Sequence, residues 1–267
     1  MTGLQSSALA VLWLLPALLD LSLGGRPEQP IHYVPIDGSA VAITFDACAT
    51  HSHVYEFDRS IFDTLKRERV PATIFVSGRW VEGHPDAMEE LASSPLIEFG
   101  DHSYDHPHMP ELTPPEMAQQ IDGTEAALAR FGKHSIAFRP PFGEFSAEVL
   151  QVLARKGLPP VLWDVVSGDP SAGSTPASIL RTVLKKTRPG SIIVFHINGR
   201  GWRTAEVLPS VITELRQRGF RFVPLSEMLA ARPRLRARQM PPLPPPSLPS
   251  LPLVPLADTF DPLVPAR

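Results

Sequence analysis

The sequence predicts an α/β protein, a distorted (β/α) barrel with about seven parallel strands. Short runs rich in β-branched and aromatic residues alternate along the chain with longer segments whose apolar residues recur at helical spacing. Alternation with this period is typical of parallel sheets that are closed or nearly closed, with active-site groups at the carboxyl ends of the strands. An open doubly wound sheet is the alternative architecture, since sequence alone does not establish closure.

Seven runs have the composition of buried strands. They cover residues 41–45, 72–76, 96–99, 134–138, 161–166, 191–195 and 220–223. Reactive side chains follow several of these runs directly, at the strand ends where active-site groups are expected.

Helices are predicted between these strands from apolar spacing and from start and stop residues. Thr113 followed by two prolines and Glu116 is a helix start, with a capping threonine, prolines in the first turn and an acid at the third helical position. Gly157 and Gly219 are expected to end two others. The predicted helices cover residues 57–69, 85–92, 113–131, 146–156, 175–186, 204–218 and 226–231.

Composition places the chain among globular proteins with one substantial core. It has 267 residues, 43% of them hydrophobic, and a net charge of −3. No excess of positive charge points to nucleic acid as a partner. The single cysteine, Cys48, excludes an intrachain disulfide and does not identify a compartment. The oligomeric state is left open.

The N-terminal segment predicts export. Residues 8–19 form an apolar run of signal-peptide length, followed by small residues at Ser22 and Gly24. The run is too short for a membrane span. Positive charges before the run are missing and Asp20 lies at its far end, so an uncleaved anchor or a misassigned start are the alternatives. We expect residues 1–25 to be a cleaved signal, with the protein in the periplasm or outside the cell and not inserted in a membrane.

The composition changes again near the C-terminus. Residues 232–238 are basic, and the following residues repeat proline, leucine and serine without a periodicity that buries a face. We therefore expect a folded domain at residues 30–231 and a disordered or polyproline-II tail at residues 232–267. A spacer role for the tail is favoured over a docking role.

Two histidines four residues apart, His102 and His106, follow the predicted strand at residues 96–99, with Asp101 beside them. Neutral imidazole nitrogens near a carboxylate are what a divalent metal site needs. Taken alone, such a pair is equally consistent with a metal site and with a polar surface turn.

Three other strand ends favour the metal site over the surface turn. Asp46, Arg139 and His196 each stand at the end of a predicted strand or directly after it. Because the carboxyl ends of parallel strands meet at one rim, we expect these side chains to converge on the histidine pair.

These stretches resemble the polysaccharide deacetylases, carbohydrate esterase family 4, over residues 41–229. Five family motifs occur in the expected order, which makes the resemblance specific. They are Thr44-Phe45-Asp46, His102-Ser103-Tyr104-Asp105-His106, Arg139-Pro140-Pro141-Phe142-Gly143, Trp163-Asp164 through Asp169, and Val194-Phe195-His196. The resemblance implies a distorted (β/α) barrel at residues 30–231 that acts as a deacetylase on an acetylated glycan.

The resemblance also implies roles for individual residues. Asp46 would be the general base and Arg139 would orient it. His196 would be the general acid, with Asp169 as the carboxylate that orients it and supports its charge. The backbone N–H near Phe142 would help to bind the oxyanion.

Metal and substrate contacts complete the predicted site. The resemblance implies that His102 and His106 hold a divalent metal, with zinc the expected identity. Aromatic faces stack on the apolar faces of sugars, so Trp202 and Tyr104 are further candidates for substrate contact, together with Phe142.

The sequence departs from the family pattern at the first motif. The family has a second aspartate there, the third metal ligand, whereas this chain continues with Ala47 and Cys48, as a subgroup of the family does. Asp58, Asp101 or Asp46 itself are the favoured substitutes, and Cys48 is interpreted as a small buried hydrophobe, although its sulfur would suit zinc. Other donors in the following loop are His51, His53 and Glu56.

Three functions follow from these observations. The leading hypothesis is an exported, metal-dependent hydrolase that removes acetyl groups from peptidoglycan, chitin-type oligomers or an exopolysaccharide. The second is a glycan-binding pseudoenzyme that lost its metal with the missing aspartate. The third is an amidase acting on small, non-sugar C–N bonds. The sequence does not identify the glycan or the acetyl position.

Overall fold

The computed structural model describes residues 27–36 and 38–232. The expected export signal at residues 1–25 lies outside these residues, as does the expected tail apart from Arg232. No helix within the described ranges combines the length and the hydropathy that crossing a bilayer requires.

A parallel sheet forms the centre of the fold. Its strands are β1 (Ala40–Ala47), β2 (Ala72–Val76), β3 (Ile97–Asp101), β4 (Val165–Val166), β5 (Ile192–His196) and β6 (Arg221–Phe222). The strand order is β3-β2-β1-β5-β4, and β6 pairs with the start of β1. β1 is therefore the central strand, and its carboxyl end lies between those of β2 and β5.

Single bridges close the sheet into a distorted barrel. Phe138 bridges Asp101 at the end of β3 on one side and Pro160 on the other, and the chain after Pro160 leads into β4. Within the described residues the barrel has six strands where about seven were predicted, because the run at residues 134–138 contributes only this bridging residue. Neither Pro159 nor Pro160 has an N–H to donate, so the ladder beside Phe138 does not extend.

Helices cover the outside of the sheet at nearly the predicted positions. They are α1 (Arg59–Glu68), α2 (Gly78–Gly83), α3 (Pro85–Ser93), α4 (Pro114–Ala129), α5 (Ala147–Lys156), α6 (Pro176–Lys186), α7 (Thr204–Gln217) and α8 (Leu225–Ala231). Thr113 and Glu116 form the predicted capping box of α4. The sequence did not predict α2, a six-residue helix with a glycine at each end that shows too little apolar period to be recognised.

Successive residues of β1 face two different environments, the apolar core and the barrel interior. On β1, Ile43, Phe45 and Ala47 belong to the apolar core between sheet and helices. Thr44 and Asp46 point to the opposite face, into the barrel, as successive strand residues must. The barrel interior thus becomes polar towards the carboxyl ends of the strands, where the reactive side chains lie.

Candidate active site

A buried ion pair joins Arg139 to Asp46 near the carboxyl end of β1. Arg139 is fully buried, and its Nη1 donates to Asp46 Oδ1 at 2.6 Å. Its Nη2 donates to Thr44 Oγ1 at 2.9 Å and to the carbonyl of Leu162 at 3.2 Å. The guanidinium also lies 3.9 Å from the centre of the Phe75 ring. Each part of this buried cation has a partner, which fixes the position of Asp46.

The pKa of Asp46 is held below its ordinary value of 3.8. Burial alone would raise this pKa, but the charge of Arg139 outweighs it, with help from His102 and His196. Asp46 is therefore an ionised carboxylate at neutral pH. Its second oxygen, Oδ2, lies 3.9 Å from His102 Nε2 and is free of the arginine.

The two histidines of the second motif lie on a tight loop after β3. Asp101 Oδ1 accepts the backbone N–H of Ser103 at 2.7 Å, and Ser103 and His106 have left-handed φ angles of 63° and 61°. His102 Nδ1 donates to the carbonyl of Arg139 at 2.7 Å, which leaves Nε2 with its lone pair. The ring centroids of His102 and His106 are 4.8 Å apart.

Both rings are neutral at physiological pH. Burial lowers the pKa of His106 to about 3, with the neighbouring His102 adding to the effect. Burial likewise lowers the pKa of His102, although Asp46 opposes this. Neutral imidazole is the form that binds a metal.

Cys48 completes a group of three donors. One ligand atom each from Cys48, His102 and His106 lie within 4.8 Å of one another, and all three side chains are buried. Burial raises the pKa of the Cys48 thiol far above its ordinary value, and the charge of Asp46 adds to this. Two nitrogens and one sulfur are a donor set that suits zinc, so the residues present fit the metal that the resemblance implies.

The candidate general acid, His196, lies beside the candidate general base, Asp46. His196 ends β5 and is paired in register with Asp46 on β1. Its Nδ1 lies 3.0 Å from Asp169 Oδ1, and its backbone N–H donates to Asp169 Oδ2 at 2.6 Å. Hydroxyl groups of Thr204 and Ser167 also donate to Asp169, at 2.6 Å and 2.9 Å, and hold this carboxylate in place.

Asp169 controls the charge of His196. Burial would lower the pKa of His196, but the anionic charge of Asp169 and its hydrogen bond outweigh burial and raise the pKa above its ordinary value of 6.5. His196 is therefore a proton donor close to neutral pH.

These groups share one open cavity of about 210 Å³. Of the residues predicted to converge, Asp46, His102, His106 and His196 line the cavity, and Arg139 reaches it only through its bond to Asp46. The residues that line it are Asp46, Cys48, His102, His106, Phe142, Trp163, Val166, Ser167, Asp169, Pro170, Val194, His196 and Arg200.

The aromatic candidates lie at different distances from this cavity. Phe142 lines it, half exposed, and its ring stacks on His108 with centroids 4.2 Å apart. Trp202 is 61% exposed on the loop after β5 and does not line the cavity. Tyr104 also lies outside it, where its hydroxyl donates to Glu82 at 2.7 Å.

Two candidates for the third ligand point elsewhere. Asp58 is the N-cap of α1 and accepts the backbone N–H of Ser60. Asp101 follows Phe99 on the outer face of β3, and burial raises its pKa well above the ordinary value. Neither lines the cavity.

Sequence reasoning assigned no role in the site to Arg200 and interpreted Cys48 as a buried hydrophobe. The signal for Cys48 was the two-residue period of β1, which places residues 44, 46 and 48 on one face. The local composition predicts that this strand ends at residue 45, so residue 48 lies beyond the predicted period. Arg200 lies on the loop after β5 and has no comparable signal.

Comparisons with known proteins find a matching family model and similar relatives. The family model described as polysaccharide deacetylase matches residues 34–161. A peptidoglycan-N-acetylglucosamine deacetylase of Bacillus cereus is 32% identical over 197 residues, which is 73% of this chain and 70% of the relative.

Two crystal structures are similar in fold, each with a TM-score of 0.68. One is a peptidoglycan N-acetylglucosamine deacetylase, 30% identical, and the match covers 74% of this chain and 91% of that one. The other is a pseudoenzyme of carbohydrate esterase family 4 from Bacillus anthracis, 26% identical, with 76% of this chain and 70% of that one covered.

Proposed function

The chain belongs to the polysaccharide deacetylase family, and we propose that it is a metal-dependent hydrolase that removes acetyl groups from an acetylated glycan. One observation carries the proposal. The Asp46 carboxylate and the His196 imidazole lie in register at one cavity that His102 and His106 also line, with the pKa of Asp46 lowered and that of His196 raised. A single side chain of these types would be unremarkable for a strand end, whereas the combination matches the demands of amide hydrolysis.

Hydrolysis of an acetamide makes three chemical demands. A water must lose a proton as it attacks the carbonyl, the developing oxyanion must be stabilised, and the poor amine leaving group must receive a proton. The proposed roles below assign one group to each demand.

Asp46 takes the proton from the attacking water. Arg139 occupies Oδ1 at 2.6 Å, so Oδ2 is the oxygen that faces the histidines and accepts the proton. His196 donates its proton to the departing nitrogen. Asp169 binds Nδ1 of His196, which orients the ring and leaves Nε2 to deliver the proton.

His102 and His106 would hold the divalent metal, and we propose zinc as its identity. A bound metal of this kind supplies a Lewis acid that polarises the acetyl carbonyl and activates water. The hydrogen bond from His102 Nδ1 to the Arg139 carbonyl orients the ring for this role. The backbone N–H of Phe142, a residue with a left-handed φ of 58°, is the proposed donor to the oxyanion.

The proposed substrate is an N-acetylated cell-wall glycan, supported by the peptidoglycan activity named for the relatives. Residues 1–25 would direct the protein to this substrate in the periplasm or outside the cell. The exposed faces of Phe142 and Trp202 would stack on sugar rings at the rim.

A glycan-binding protein without catalysis is the second candidate. It is favoured by Ala47, which cannot bind metal, and by the similarity to a family pseudoenzyme. The presence of acid, base and both orienting partners favours the enzyme.

The test is a screen of acetate release from peptidoglycan, chitin oligomers and acetylated xylan, with zinc or cobalt added or with a chelator. We expect metal-dependent acetate release from at least one glycan. Glycan binding without acetate release in the presence of metal would support the pseudoenzyme. Hydrolysis confined to small non-sugar amides would support the amidase.

A further inference from the structure

Cys48 lies immediately after β1, on the face of the strand that carries Thr44 and Asp46, and it lines the same cavity as Asp46. Ala47 points the other way and is fully buried in the apolar core between sheet and helices. A carboxylate at position 47 with this strand geometry would face apolar side chains, which disfavour its charged form. Position 48, rather than position 47, faces the two imidazoles.

The donor atoms of Cys48, His102 and His106 converge. They lie within 4.8 Å of one another, and among residues 27–36 and 38–232 these are the three His, Cys, Asp or Glu side chains that meet in this way. His102 contributes Nε2, because its Nδ1 is committed to the carbonyl of Arg139 at 2.7 Å. The Cys48 sulfur therefore faces two buried imidazole nitrogens, one from each histidine.

The nearby carboxylates are engaged by other partners. Asp58 and Asp101 each accept the backbone N–H two residues further on, at 3.0 Å and 2.7 Å, and neither lines the cavity. Asp46 lines the cavity but is bound at Oδ1 by Arg139, and the proposed function uses its Oδ2 as the base. Within the described part of the chain, no carboxylate forms such a group with His102 and His106, so none takes the place of the family's second aspartate.

The geometry points to a site of two histidines and one cysteine, in which the Cys48 thiolate is the third protein ligand of the metal. This inference rests on the proposed function and deepens it. Three protein ligands with one open position are typical of catalytic zinc. Sulfur in the ligand set favours Zn²⁺ or Co²⁺ over Mg²⁺ and Mn²⁺, which prefer oxygen. As the metal–sulfur bond forms, the thiol proton is released to solvent.

Cobalt titration of the full chain tests this directly. A thiolate bound to Co²⁺ gives a sulfur-to-metal charge-transfer band in the near ultraviolet, and Cys48 is the only cysteine in the sequence, so the band has one possible source. We expect the band to grow to one Co²⁺ per chain and to disappear when Zn²⁺ displaces the cobalt. Stoichiometric Co²⁺ binding without the band would overturn the inference.

Variants separate sulfur from oxygen ligation. Cys48→Ala should abolish the band and weaken Zn²⁺ binding, measured by competition with a chelator, by at least about tenfold, since even changes outside the ligand shell cost about 10–100-fold. Cys48→Asp should restore Zn²⁺ binding without the band. Asp58→Asn is the matched control, because asparagine keeps the cap of α1 while removing the carboxylate, and its zinc affinity should be unchanged. Unchanged affinity in Cys48→Ala would reject sulfur ligation.

The outcomes distinguish this inference from the proposed function. A charge-transfer band in a protein that releases no acetate from any glycan would support the ligand and reject the enzyme. Acetate release with a metal that Cys48→Ala retains in full would support the enzyme and reject the ligand. Absence of metal binding in the wild type and in Cys48→Asp, with both folded by circular dichroism, would reject both.

Discussion

Asp46 and His196 are paired in register on the adjacent strands β1 and β5, and the residues behind them drive their pKa values in opposite directions. Arg139 lowers the pKa of Asp46, and Asp169 raises that of His196. The proposed base and the proposed acid therefore lie side by side, and each pKa is shifted in the direction that its proposed role requires. Groups whose environments push their pKa values apart are the signature of acid–base assignment.

The role of His196 as proton donor predicts a dependence on the leaving group. His196→Ala should lower kcat for an N-acetylated glycan by ~10²–10⁴-fold, the usual contribution of a general acid. The loss should be much smaller for an aryl acetate, whose leaving group needs no proton. His134→Gln, at an exposed position, is the control and should match the wild type. Equal losses on both substrates would contradict the assignment.

Arg139 and Asp46 should be strongly coupled in stability. Arg139→Met leaves the buried Asp46 charge unpaired, so we expect the free energy of unfolding in urea to fall by about 3–5 kcal/mol. The double variant Arg139→Met with Asp46→Asn should recover part of this loss, because no buried charge remains. A loss below about 1 kcal/mol in Arg139→Met would show that Arg139 does not stabilise the buried charge of Asp46.

The pH dependence of kcat/KM should follow His196 on the alkaline side. The raised pKa keeps the ring protonated above its ordinary value of 6.5, so activity is present below the raised pKa and is lost as pH rises through it. Asp169→Asn removes the anion that raises this pKa and should move the alkaline limb to lower pH. An alkaline limb that stays in place in this variant would assign it to another group.

Much of the fold followed from local pattern. The strand runs and helix starts were visible because buried parallel strands and amphipathic helices leave distinct periods, and the capping box of α4 was read directly from Thr113 and Glu116. The run at residues 134–138 was predicted as a strand and is not one. Its own composition fits a strand, but its neighbour contains Pro159 and Pro160, and pairing depends on both partners.

The convergence of the site residues was predictable from topology, but the direction of the Cys48 side chain was not. Residues at strand ends meet at one rim, and that rule brought Asp46, His102 and His196 to one cavity. The position of Cys48 depends on β1 continuing to Ala47, two residues beyond the predicted end. Strand boundaries are set by neighbouring strands as well as by local sequence, so the period could not be extended with the sequence alone.

The role of Asp46 as the base is tested by comparing acetate release by zinc-loaded wild type and Asp46→Asn on one glycan, with free amines and bound zinc measured in the same samples. We expect one free amine per acetate in the wild type, and a rate in Asp46→Asn lower by ~10²–10⁴-fold with the zinc content unchanged. Equal rates in the two proteins, or no acetate from zinc-loaded wild type, would rule out this hydrolysis with Asp46 as its base.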